Sequence, residues 1–245
     1  MEDFTIGLAL YDFVPVLLSG LAVYFIASVV RMRGVPAHQI AAVAAGLVFA
    51  AGLSKAIWKL IATLAGQDLV WLASMLFPLM APGFALLAAG VWASQRRQPP
   101  KTALFWLIPL VLIAAVYALA VYRMGAGIER GWFMPIMALA SLSNIGLTIL
   151  LFTMAWRRGL RGVAILFTVN LGMVFALIPI AQMDSHSIVM HWLEQTLTAV
   201  GAAAFAYSAF RLSRNISSDV STSDVDPAVS AAASVESGLS ARSSA

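Results

Sequence analysis

The chain has 245 residues, of which 61% are hydrophobic and 11% are charged, and its mean hydropathy is +0.90. This composition excludes an ordinary soluble domain and predicts an integral membrane protein that lies in a lipid bilayer. The chain contains no cysteine, which excludes disulfides and thiolate metal sites. The net charge of +4 does not indicate a nucleic-acid partner, because the cations flank the hydrophobic segments.

Seven apolar runs follow one another along the chain, each long enough to cross a bilayer as a helix. The breaks between them are short and contain Gly, Pro or polar residues, so no soluble domain fits between the runs. Helix is the only spanning element that these lengths allow. We therefore predict an all-α fold, a seven-transmembrane helix bundle within residues 1–214, with helices at about 5–30, 38–64, 69–94, 102–122, 132–156, 162–182 and 187–212.

The lysines and arginines predict the orientation of this bundle. Alternate breaks carry ten cations, whereas the opposite breaks carry only Arg123 and Arg130. The positive-inside rule then places the N-terminus outside and the C-terminus in the cytoplasm. The start of the chain, "MEDF", lacks the basic flank of a cleaved signal, so we expect the first helix to remain as an anchor. The expected location is the cell membrane, as a multi-pass protein in the plasma membrane of a bacterium. The ten cations are Arg31, Arg33, Arg96, Arg97, Lys101, Arg157, Arg158, Arg161, Arg211 and Arg214.

The last part of the chain, residues 215–245, differs from the rest in composition. Ser, Ala, Asp and Val predominate there, with four acids against one arginine. Few large apolar groups are present to offset the entropy lost on folding. We predict a disordered cytoplasmic tail, which could contact a cytoplasmic partner.

Two pairs of helices share short signatures. The third and seventh align at an offset of 121 residues, with Trp71 opposite Trp192 and Phe84 opposite Phe205. "FVPV" at 13–16 in the first helix matches "FMPI" at 133–136 in the fifth. These matches favour a parallel 3+1+3 repeat, although the second and sixth helices do not align. The plan resembles that of SWEET-type sugar transporters and, more loosely, of opsins. However, the membrane segments contain no Pro-Gln pair, and the seventh helix has no lysine for a retinal Schiff base.

Four ionisable residues fall well inside the predicted spans: Asp12 on the first helix, Lys55 and Lys59 on the second, and Glu194 on the seventh. The helical rise places all four in the outer half of the bilayer. A lone charge at a helix centre costs about 2.5 to 3.5 kcal/mol. An opposite pair about 4 Å apart recovers roughly 4 kcal/mol. We therefore predict that the acids pair with the lysines around a polar cavity.

Further residues complete the predicted ligand-binding or ion-pair cavity. Trp58 lies between the two lysines, His191 is one turn from Glu194, and Asn144 projects from the fifth helix. Pro15, beside Asp12, is a candidate kink. The alternative interpretation is purely structural: Lys59 extends to the headgroups, Asn144 joins helices, and the ion pairs only fix the packing of the bundle.

These features favour binding or movement of a small polar or charged solute, or of an ion, through the charged cavity. The alternative is a seven-helix receptor or interaction subunit that signals through its cytoplasmic loops and tail. An enzyme is less favoured, because His38 is predicted on the opposite face from His186 and His191, and we predict no serine set beside a histidine for nucleophilic catalysis. We expect no catalytic residue, metal or cofactor. Homo-oligomerisation stays an open alternative.

Overall fold

The computed structural model describes residues 6–96, 98, 100–181 and 188–243, and describes side chains as far as residue 176 and again from 190 to 219. These residues form helices joined by short turns, and the described part contains no strand. The all-α class predicted from the sequence is therefore confirmed. The α-helices are α1 Ile6–Tyr11, α2 Phe13–Met32, α3 Gln39–Ala65, α4 Val70–Ser74, α5 Leu76–Ser94, α6 Leu107–Gly125, α7 Phe133–Arg157, α8 Arg161–Ala181 and α9 Ile188–Ser243, and a 3-10 turn, Ala103–Trp106, precedes α6.

Five helical stretches in the described residues are long and apolar enough to cross a membrane. They suggest a multi-pass membrane protein in a lipid bilayer. The apolar part of α8 described with side chains, Arg161–Ala176, is shorter. The number of seven spans, their orientation and the repeat stay predictions. The five stretches are Ile6–Met32, Gln39–Ala65, Val70–Ser94, Ala103–Gly125 and Phe133–Arg157.

Two of these stretches are each interrupted by a single residue. In both cases a proline follows three residues after the interruption. A proline has no N–H to donate to the carbonyl four residues earlier. Pro15 thus leaves the Tyr11 carbonyl without its helical donor, and α1 ends at Tyr11. Pro78 has the same effect on Ser74, where α4 ends. The interruption places Asp12 at the joint between α1 and α2, and a kink at Pro15 stays a prediction.

A third proline, Pro82, lies inside α5 without breaking it. Its missing N–H deprives the Pro78 carbonyl of a helical donor. The hydroxyl of Tyr117 on α6 donates a hydrogen bond to that same carbonyl. The proline therefore creates the acceptor that joins α6 to α5.

In the described residues, six of the longer helices form a ring, α6 lies outside it, and the short helices α1 and α4 pack against α3. α2 packs against α3 and α9, α5 packs against α3 and α7, and α8 packs against α7 and α9. α6 lies against α5 and α7 outside this ring. Only 11% of the residues in its apolar window are buried, against 33 to 39% in the other four spans. In a bilayer, α6 would therefore present most of its surface to lipid.

Small residues allow the helices of the ring to approach closely. A Cβ added to Gly83 on α5 would lie 2.5 Å from Val48 Cγ2 and 2.9 Å from the carbonyl oxygen of Ala44, both on α3. Gly52 on α3 has a similar role toward α2, since a Cβ there would lie 3.2 Å from Val16 Cγ2. Contacts between small residues are the usual means of packing helices in membranes, where the hydrophobic effect does not drive helices together.

α9 continues beyond the predicted end of the seventh span at residue 212 and runs to Ser243. Ile216 is 1% exposed and belongs to the main core. The carboxylate of Asp219 forms an ion pair with Arg158 at 2.7 Å. The ordered part thus includes residues 216–219, which the composition assigns to the tail. Disorder of the remaining tail stays a prediction.

Candidate binding site

The predicted pairing between an acid on the first helix and a lysine on the second is present. Oδ2 of Asp12 lies 2.6 Å from Nζ of Lys59. Both residues are buried, with 7% and 8% of their surface exposed. The attraction between the two charges offsets part of the free energy that each loses on leaving water. The ion pair connects the joint between α1 and α2 to the C-terminal part of α3.

The second oxygen of the Asp12 carboxylate has a different environment. Oδ1 is buried and has no hydrogen-bond partner among the described residues. A buried acceptor without a partner costs about 1 to 3 kcal/mol, and more when it carries charge. Such groups are rare in folded proteins and often indicate a functional site or a bound water or ion. Asp12 therefore has free capacity for one further donor.

Asp12 and Lys59 lie in the wall of a cavity of about 230 Å³. This volume corresponds to about eight waters at roughly 30 Å³ each, or to one small solute. The polar groups in the wall come from α2, α3 and α9 and the joint before α2, while α5 contributes only apolar side chains. The lining residues are Asp12, Pro15, Val16, Ser19, Val48, Phe49, Gly52, Lys55, Ala56, Lys59, Leu76, Met80, Phe84, Gln195 and Thr198.

Lys55 lines the same cavity, and its side chain is exposed rather than packed in the core. It precedes Lys59 by four residues, so the two ammonium groups lie on one face of α3. Lys55 is ten residues from the end of α3 at Ala65, which corresponds to about 15 Å along the helix. The sequence stripe that contains Val48, Gly52 and both lysines is the stripe that faces the cavity.

Four other predicted site residues do not line this cavity. The indole Nε1 of Trp58 donates to Oδ1 of Asp68 at 2.8 Å, which holds the end of α3 to the following loop. Glu194 lies beside His191 on α9, with Oε2 of the acid 3.7 Å from Nδ1 of the imidazole. Asn144 is on α7, where its main-chain carbonyl accepts a hydrogen bond from Thr148 Oγ1 at 2.9 Å. A role for these four residues in ligand binding stays a prediction.

Three polar residues of the cavity wall were not among the predicted site residues: Ser19, Gln195 and Thr198. Ser19 follows Asp12 by seven residues, which is the helical spacing for a shared face. That spacing could have identified it from the sequence. Gln195 is adjacent to Glu194. Glu194 is the residue predicted for the site, because a charged residue in a membrane span is a stronger indication of function than an uncharged one.

The histidines provide no evidence for a metal centre. No group of three His, Asp or Glu residues in the described part lies close enough to hold a metal ion. Asp184 and His186 are outside the described residues.

Comparison with known proteins finds no matching protein family, no similar curated protein and no similar solved structure.

Proposed function

We propose that this protein spans the membrane seven times, with its N-terminus outside, and that it binds and moves a small polar or charged solute through the cavity around Asp12, Lys55 and Lys59. The observation that carries the proposal is the buried Asp12 carboxylate. One of its oxygens is paired with Lys59, and the other is buried and has no hydrogen-bond partner in the part of the chain that the structure describes. An ion pair that served packing alone would be expected to satisfy both oxygens.

The groups in the cavity wall indicate the chemistry of the solute. Asp12 Oδ1 offers an acceptor for a cationic or N–H group, and the Lys55 ammonium offers donors to an anionic group. Phe49, Met80 and Phe84 supply apolar surface between the polar groups. A small zwitterion with an apolar side chain, such as an amino acid, matches this combination.

Movement requires that the site exist in at least two states. A cation that binds to Asp12 competes with Lys59 for the same carboxylate, so ligand binding and the ion pair are coupled. The joint at Asp12 joins two separate helical segments, α1 and α2. Loss of the ion pair would therefore free α1 to move relative to α3. Ionisable groups inside membrane spans commonly mark such transport pathways.

The experiment uses purified protein reconstituted into vesicles and tests a panel of radiolabelled amino acids. We expect uptake of at least one member, and we expect Asp12→Asn and Lys55→Met each to reduce that uptake at least about tenfold, since each removes a charge-assisted contact. The matched controls are Glu129→Gln and Lys101→Met, whose side chains are exposed and do not line the cavity. Unaltered uptake in both cavity variants would remove the proposal.

The second candidate is a receptor, and the continuity of α9 favours it. This single helix carries Gln195 and Thr198 of the cavity wall and extends to Ser243. A change in the cavity could therefore reach the tail along one helix. Deletion of residues 220–245 separates the two functions: transport survives the deletion, whereas tail-mediated signalling does not.

A further inference from the structure

A second cavity lies at the arginine-rich end of the helices, the end at which α2, α5 and α7 terminate. Its volume is about 140 Å³, and three of its six lining residues are arginines. It is separate from the Asp12 cavity and shares no residue with it, so the inference does not rest on the proposed function. The lining residues are Arg33, Ser94, Gln95, Met154, Arg157 and Arg158.

The fold concentrates these residues at three helix C-termini. Arg33, Gln95 and Arg158 are the C-cap residues of α2, α5 and α7, respectively. The C-terminal end of a helix carries about half a negative charge, which favours arginine there. The three helix ends together would offset only about half of the three guanidinium charges. The cavity therefore keeps an excess of positive charge.

Hydrogen bonds hold two of the arginines in place. Nε of Arg33 donates to the main-chain carbonyl of Ser94 at 3.1 Å. Nη1 of Arg158 donates to Oδ1 of Asn215 at 2.9 Å and to Oδ2 of Asp219 at 2.7 Å. Gln95, in the cavity wall, is fixed by donating its Nε2 to the Leu150 carbonyl at 2.8 Å. The donors are thus arranged before a ligand arrives, which reduces the entropy cost of binding.

We propose that this cavity binds a phosphate group. Guanidinium groups present planar pairs of donors that match the oxygens of phosphate, and a phosphate has enough oxygens to contact several arginines at once. Arg157 is exposed, so its side chain is accessible to such a ligand. The phosphate belongs either to a soluble phosphorylated compound or to the headgroup of an anionic lipid, since both sources present the same chemistry at this end of the helices.

Asp219 is the internal competitor for this ligand. Its carboxylate occupies Nη1 of Arg158 and is 61% exposed, so it can leave without uncovering apolar surface. The bound phosphate replaces this carboxylate on Arg158. Because Asp219 lies on the extension of α9, occupancy of the cavity would remove its ion pair between that extension and the end of α7.

The test measures binding to the full chain in nanodiscs, with two probes. Inorganic phosphate is titrated into nanodiscs of neutral phosphatidylcholine, and phosphatidic acid is included in a second set of nanodiscs. We expect at least one probe to raise the unfolding temperature. Stabilisation by phosphatidic acid alone assigns the site to a lipid headgroup, and stabilisation by inorganic phosphate assigns it to a soluble ligand.

Variants then locate the site. We expect Arg33→Gln and Arg157→Gln to weaken binding at least about tenfold and Asp219→Asn to strengthen it severalfold, because the competitor loses its charge. The control is Arg96→Gln at the same end, since Arg96 packs over the Trp92 ring at 3.9 Å and does not line the cavity. Because Arg157 is exposed, Arg157→Gln is the substitution least expected to disturb folding. The proposal is overturned by the absence of stabilisation with both probes, or by equal losses in Arg157→Gln and Arg96→Gln.

Discussion

Oδ2 of Asp12 lies 2.6 Å from Nζ of Lys59, and this ion pair joins α3 to the interruption between α1 and α2. The two side chains are in direct contact, although the residues are far apart in the sequence. It therefore contributes to the packing of the first two membrane-spanning stretches as well as to the cavity. Stability measurements can separate these two contributions.

Replacement of Lys59 by Met should destabilise the protein by about 3 to 5 kcal/mol, because it leaves the buried Asp12 carboxylate without its partner. The double variant Asp12→Asn, Lys59→Met should recover much of that loss, since neither charge is then buried alone. The measurement is the free energy of unfolding in detergent. Lys101→Met, at an exposed lysine, is the control. Equal stability of the single and double variants would show that the two charges are not coupled.

Gly83→Ala should destabilise the contact between α3 and α5. The added Cβ would lie 2.9 Å from the main-chain oxygen of Ala44, which cannot move without shifting α3. We expect a loss of about 1 to 3 kcal/mol in the free energy of unfolding. Gly146→Ala on α7 is the matched control, because a Cβ there meets nothing within 4 Å. Helix propensity alone favours alanine over glycine, so a loss of the same size in both variants would mean that the contact with Ala44 is not what destabilises Gly83→Ala.

Tyr117→Phe should remove the hydrogen bond to the carbonyl of Pro78, at a cost of about 1 to 3 kcal/mol. The same substitution should cost less in a Pro82→Ala background, because alanine restores the N–H that satisfies this carbonyl within α5. Thermal unfolding of the four proteins gives the coupling between the two sites. Additive effects would contradict the explanation of this bond by the missing N–H.

The absence of cysteine makes the membrane orientation directly testable. Single cysteines at Gln67 and Ala126 should react with an impermeant maleimide in intact cells, whereas cysteines at Gln98 and Ser218 should react only after lysis. A cysteine at Ser185, outside the described residues, tests the last two spans. External labelling there confirms seven crossings, and labelling only after lysis reduces the number to five.

Truncation should locate the end of the ordered part. Deletion of residues 220–245 should leave the unfolding temperature unchanged. Deletion from residue 216 onward should lower it, because Ile216 is buried and Asp219 pairs with Arg158. Equal unfolding temperatures for the two truncated proteins would show that residues 216–219 do not stabilise the helix bundle.

The helix positions were accessible from the sequence because bilayer thickness imposes one length on every span. The predicted ends lie within a few residues of those in the structure for the five apolar stretches. The interruptions at Asp12 and Met75 could not be placed from hydropathy, which is continuous across both. They follow from the hydrogen bonds that Pro15 and Pro78 cannot donate to the carbonyl four residues earlier.

The cavity was only partly accessible for a similar reason. Depth in the membrane, which follows from residue number, predicted that the acids pair with the lysines, and the structure shows one such pair, Asp12 with Lys59. Rotation about the helix axis does not follow from depth, and it decides that Gln195 rather than Glu194 lines the cavity. The arginine cavity was not predicted from the sequence for a different reason. Lysines and arginines are expected in all loops on the cytoplasmic side of a membrane protein, so their presence there does not indicate a binding site.

The position of α6 has a practical consequence. The 3-10 turn before it is anchored by Trp106, whose Nε1 donates to the carbonyl of Pro36 at 2.9 Å, while much of the length of α6 faces outward. Fluorescent labels or crosslinkers attached to outward positions such as Ile108 or Val121 should therefore leave both cavities undisturbed. The same surface offers a fixed reference point against which movements of the six inner helices can be followed by distance measurements.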